Sequence, residues 1–76
     1  MNKTHLHILR DSINGNTIRE LSIFYGESDE FIRWVCDYTG RLVSLKIKGV
    51  GRFTATNIKE NSQRWLDAID ELLERK

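Results

Sequence analysis

Few residues in this chain have the type and spacing to do chemistry. His5 and His7 form a His-x-His pair, and Cys36 is a lone thiol. Four acids, Glu27, Asp29, Glu30 and Asp37, fall in one stretch, and four bases, Arg41, Lys46, Lys48 and Arg52, in the next. Residues two apart point to different sides of a helix and share a face only on a strand. Two histidines alone do not complete a metal site, so no metal is expected. Cys36 falls on the apolar side of a helical repeat, and no sequence pattern sets a His or Asp beside it. It therefore reads as a small core residue and not as a nucleophile. No phosphate-cradling glycine loop and no paired-carboxylate motif appears. The expectation is a non-enzyme with no cofactor.

The charged groups have two readings each. Arg41, Lys46, Lys48 and Arg52 surround Gly49-Val50-Gly51 and have the chemistry to hold phosphates. The same lysines on a solvated hairpin would block edge-to-edge strand pairing. The carboxylates favour a helix N-terminus through its dipole, or form an acidic face that meets a basic partner. Trp34 falls off the main apolar face of its helix. It is a hot spot for a partner or a rim residue covering the core.

Composition narrows the field. Twelve Lys and Arg against eleven Asp and Glu leave a formal charge of +1, so any nucleic-acid contact must use a local patch and not a basic coat. The 76 residues suit one small domain, 1–76. The chain is 39% hydrophobic and 30% charged, ordinary for a globular protein. No apolar run approaches the roughly 18 residues of a membrane span. The N-terminus does not read as a signal-peptide core, and one cysteine cannot form an intrachain disulfide. The expected location is cytoplasmic, with no membrane partner.

These residues must be positioned by a small set of elements. Leu6, Leu9 and Ile13 lie on one helical face, capped by Thr4 and stopped by the Asn-Gly-Asn at 14–16. Thr17 and Glu20 form a capping box for a second helix, which ends at Gly26. Ser28 caps a third helix, with Ile32, Val35, Cys36 and Thr39 at helical spacing and Gly40 closing it. Val43, Leu45 and Ile47 then alternate with polar residues, as do Phe53 and Ala55, which predicts two strands joined by a tight turn at 48–51. A last helix is predicted near 62–75, with Trp65, Leu66, Ile69, Leu72 and Leu73 as its apolar stripe.

The segments Thr-Ile-Arg-Glu-Leu-Ser-Ile-Phe-Tyr-Gly-Glu-Ser, Asp-Glu-Phe-Ile-Arg-Trp-Val-Cys-Asp-Tyr-Thr-Gly, Arg-Leu-Val-Ser-Leu-Lys-Ile-Lys and Arg-Phe-Thr-Ala-Thr, in that order, resemble a winged helix-turn-helix domain. Gly40-Arg41-Leu42-Val43 is similar to the lead into the wing of such domains, and Gly-Val-Gly to its tip. The resemblance covers about two thirds of the chain and implies an α+β fold: a helix-turn-helix at about 17–39, a β-hairpin wing at about 42–56 and an added C-terminal helix. Small phage, prophage or plasmid regulators have this size. The resemblance implies a DNA-binding transcriptional regulator on double-stranded DNA. Ser28, Arg33 and Trp34 would face the major groove, and Arg41, Lys46, Lys48 and Arg52 would hold phosphates. A homodimer through Trp65, Ile69, Leu72 and Leu73 would match a palindromic site. The chain departs from the pattern at Glu27, where the turn usually carries an apolar residue. The alternative is a protein-interaction module whose acidic face (Glu27, Asp29, Glu30, Asp37) docks on a partner protein.

Overall fold

A computed structural model of the chain describes residues 2–51 and 54–74. These form five helices: α1 (Lys3–Ile13), α2 (Ile18–Tyr25), α3 (Asp29–Ser44), α4 (Ala55–Glu60) and α5 (Ser62–Glu74). Local chemistry sets most of the ends. Asn2, and not Thr4, caps α1, its side-chain oxygen accepting the Thr4 and His5 backbone N–H groups at 2.8 and 3.3 Å. At α2 the Thr17 hydroxyl accepts the Glu20 N–H at 3.1 Å, and the Glu20 carboxylate accepts the Thr17 N–H at 2.9 Å, a complete capping box. Gly26 ends α2 in the left-handed region at φ +67°, where an L side chain is strained. Ser28 then caps α3 by accepting the Phe31 N–H at 3.1 Å, with Asp29 and Glu30 in the first turn.

The α+β winged-helix expectation is overturned. The protein is all-helical, and no strand occurs among the described residues. In place of a hairpin at 42–56, α3 runs on through Gly40 to Ser44, residues 45–51 make turns, and α4 occupies 55–60. Arg52 and Phe53, assigned to the second strand, lie outside the described residues. Burial explains why period two was misleading. A strand would put Val43, Leu45 and Ile47 on one face. Instead Val43 is fully buried, Ile47 is half-buried and Leu45 is 82% exposed. Val43 follows Ile32, Cys36 and Thr39 at steps of four, three and four, so it extends the helical stripe. Gly40 is buried inside that helix. A helix-interior glycine costs about 1 kcal/mol relative to Ala, less than the burial of Val43 alone returns at roughly 1.5–3 kcal/mol.

Two apolar clusters form the core. One gathers Leu6, Leu9, Val43, Val50, Trp65 and Ile69, and the other Ile8, Leu21, Ile32, Val35 and Cys36. α1 and α3 contribute to both, α2 only to the second and α5 only to the first. Val50 enters the first cluster from the turn segment, between Gly49 and Gly51 at φ +78° and +76°. Among the described residues two ion pairs cross between helices: Arg10 to Asp70 at 3.3 Å, and Arg19 to Asp29 at 3.1 Å. Trp65 and Ile69, two of the four residues expected at a dimer face, are fully buried in the chain's own core, with Leu72 and Leu73 half-buried against it. No described helix is long and apolar enough to cross a membrane.

Candidate interaction surface

α3 buries Ile32, Val35, Cys36, Thr39, Gly40 and Val43. At roughly 100° per residue, Trp34 comes out nearly opposite that stripe, with Tyr38 one turn further on. The two rings stack, their centroids 5.3 Å apart and their planes 10° from parallel. Trp34 is 52% and Tyr38 49% exposed. His5 of α1 meets the edge of this group, 6.0 Å from both Phe31 and Trp34 and steeply inclined to each ring. The result is a continuous strip, Phe31–Trp34–Tyr38, with His5 alongside. Stacking of this kind contributes about 0.5–1.5 kcal/mol beyond area burial, so the strip is a preformed surface.

The charged residues singled out from the sequence divide along α3. Glu27 and Glu30 are exposed at its N-terminal end, and neither forms an ion pair with another described residue. Asp29 is held by Arg19, and Asp37 pairs with Arg41 one turn on at 3.3 Å. Arg33 is exposed and forms no ion pair with another described residue. Lys46 and Lys48 are exposed past the C-terminal end, where Arg64 donates to the Lys48 carbonyl. Ser28 uses its hydroxyl as the α3 cap. The described groups assigned to DNA therefore do not form one band. Arg33 and Trp34 share the outer side of α3 with the Asp37–Arg41 pair, while Lys46 and Lys48 sit beyond its far end. A 16-residue helix is about 24 Å long, so its two ends are distinct sites.

Sequence reasoning placed Trp34 outward but missed its company. Tyr38 and Phe31 were legible as neighbours at i+4 and i−3, whereas His5 joins only through the packing of α1 on α3. A second exposed apolar site was also missed: Ile23 and Phe24 on α2, 75% and 78% exposed. They border an open groove of about 600 Å³ whose rim carries Asp11 and Glu20.

Among the described residues, three groups are shifted from their usual values. Burial, then the hydrogen bond to Asp11, then the Asp11 charge, push the Tyr25 phenol up to about 12. Burial raises the Cys36 thiol, opposed by a hydrogen bond with Ser12. The Thr17 backbone and side-chain hydrogen bonds hold Glu20 below the ordinary carboxylate range. Among the described residues, no three His, Cys, Asp or Glu side chains gather where they could hold a metal ion. Against family models, curated proteins and solved structures alike, the chain gives no match.

Proposed function

We propose that the chain is a small helical protein-binding module that engages its partner through the outer face of α3. The observation that carries this reading is the stacked Trp34–Tyr38 pair, half-exposed on a helix whose opposite side is fully buried. Exposed aromatic anchors of this kind dominate binding energy where proteins meet, and a monomer that only had to stay folded gains little by leaving a tryptophan in water. Glu27 and Glu30, exposed and unpaired with any described cation, fit a partner that carries Lys or Arg beside an aliphatic anchor. A cytoplasmic setting belongs to the same proposal and is supported by the single cysteine, which is buried.

The test is a library of amphipathic peptides panned against the whole chain. Peptides selected on the native chain should lose at least tenfold in affinity against Trp34→Ala and Tyr38→Ala, a cost of about 1.4 kcal/mol or more, and should change the emission of Trp34. Binding indifferent to both substitutions would remove the reading.

Duplex DNA is the second reading. It is supported by the helix–turn–helix order of α2, the three residues from Gly26 to Ser28, and α3, together with the exposed cations Arg33, Lys46 and Lys48. It predicts duplex binding that weakens steeply with salt and falls with Lys48→Ala on every sequence alike. An anisotropy titration at low salt with no binding to any duplex would eliminate it.

A further inference from the structure

We propose that copies of this chain associate head to tail, the Leu45 end of α3 in one copy seating on the Ile23–Phe24 face of α2 in the next. The two surfaces hold the most exposed large apolar residues among the described ones: Leu45 at 82%, Phe24 at 78% and Ile23 at 75%. Their charges are opposite. Lys46 lines the same groove as Leu45, and the adjoining groove past Lys46 carries Lys48 and Arg64 against Asp67 and Glu71, so that end is net positive. The α2 groove beside Ile23 and Phe24 is edged by Asp11 and Glu20 with no cation in its lining. Glu27 follows at the end of the same helix, and the nearby Arg19 is already engaged by Asp29.

This pattern selects the geometry. A two-fold contact of α2 on α2 would set Asp11, Glu20 and Glu27 against their own copies, and a two-fold contact of the Leu45 ends would do the same with Lys46 and Lys48. Only a head-to-tail contact opposes unlike charges while covering all three apolar side chains. One surface follows the C-terminal end of α3 and the other is on α2, which precedes its N-terminal end, and α3 itself is about 24 Å long, so one chain cannot satisfy itself. Tyr38 borders the groove that Leu45 lines, whereas Trp34 does not, so Trp34 is the residue that separates this contact from the partner-binding proposal.

The experiment is sedimentation velocity on the full chain from micromolar to millimolar concentration, at low and high salt. Head-to-tail contacts give a series of species that grows with concentration and shrinks with salt. Phe24→Gln and Leu45→Gln, each at an exposed position and each checked for unchanged helicity, should weaken association at least tenfold. An equimolar mixture of the two should form a 1:1 dimer and stop there, since one variant keeps an intact α2 face and the other an intact Leu45 end. A monomer at every concentration overturns the proposal. So does a dimer abolished by Phe24→Gln but untouched by Leu45→Gln, or a mixture that stays monomeric. Trp34→Ala should leave sedimentation unchanged while removing peptide binding, so the two proposals fail separately.

Discussion

The Tyr25 hydroxyl donates a 2.7 Å hydrogen bond to the Asp11 carboxylate and so joins the last turn of α2 to the last turns of α1. The bond is partly buried and its acceptor is ionised, a combination that contributes more than a neutral surface pair. Tyr25→Phe keeps the ring and removes the donor, and should cost about 1 kcal/mol in urea unfolding followed by circular dichroism. Burial of the phenol, and after it the same bond, set a pH dependence. The phenol is raised from its ordinary value of 10 to about 12 in the folded chain, so the folded state holds the proton more tightly than the unfolded chain does. That stability is fully present below pH 10 and is lost as pH rises towards about 12. Thermal melts across that window should decline more steeply for the native chain than for Tyr25→Phe; parallel declines would deny the linkage.

Gly26 tests backbone conformation without packing. A Cβ placed there meets nothing within 4 Å, yet φ is +67°. Gly26→Ala should therefore destabilise by about 1–2 kcal/mol through conformation alone. Gly26→Asn should cost less, because Asn tolerates the left-handed region. Equal losses for the two variants in chemical denaturation would point to another cause.

Cys36 is 7% exposed and its thiol is raised by burial. The thiolate is the reactive species, so labelling by a maleimide at neutral pH should be slow in the native chain and rapid in denaturant. Fast labelling under native conditions would show that the cluster of Ile8, Leu21, Ile32 and Val35 opens readily.

Ile69 and Trp65 pack at 0% exposure. Ile69→Val should cost about 0.5–1.5 kcal/mol, whereas Trp65→Ala removes an indole and should cost about 3–5 kcal/mol. The larger loss is comparable with the whole stability of a domain this small. The tryptophan variant should therefore be largely unfolded at room temperature by circular dichroism, and the valine variant folded with a lowered midpoint.

The features legible in the sequence were those decided within a few residues. The Thr17–Glu20 capping box and the Ser28 cap each rest on a side chain meeting a backbone group three positions away, and the Gly26 stop on the left-handed conformation of one residue. The second half of α3 was not legible. Gly40 looked like a stop, and Val43, Leu45 and Ile47 looked like a strand because three positions satisfy a period of two by chance. Tertiary packing decided otherwise: Val43 is drawn into the core with Leu9 and Trp65, and Leu45 is left in water. The Gly49 and Gly51 pair was read correctly as turn chemistry and wrongly as a hairpin tip, since the Val50 between them points inward. The outward setting of Trp34 followed from helical spacing. Its grouping with His5 depends on how α1 lies on α3, which no local pattern encodes.

Because Ile8 of α1 packs into one apolar cluster while Leu6 and Leu9 pack into the other, that helix is a shared wall between two compartments. Damage to α2 or α5 is confined to one compartment, whereas damage to α1 breaches both. With α3, which also lines both, α1 couples the two compartments, and neither half has a complete enclosure of its own to fall back on.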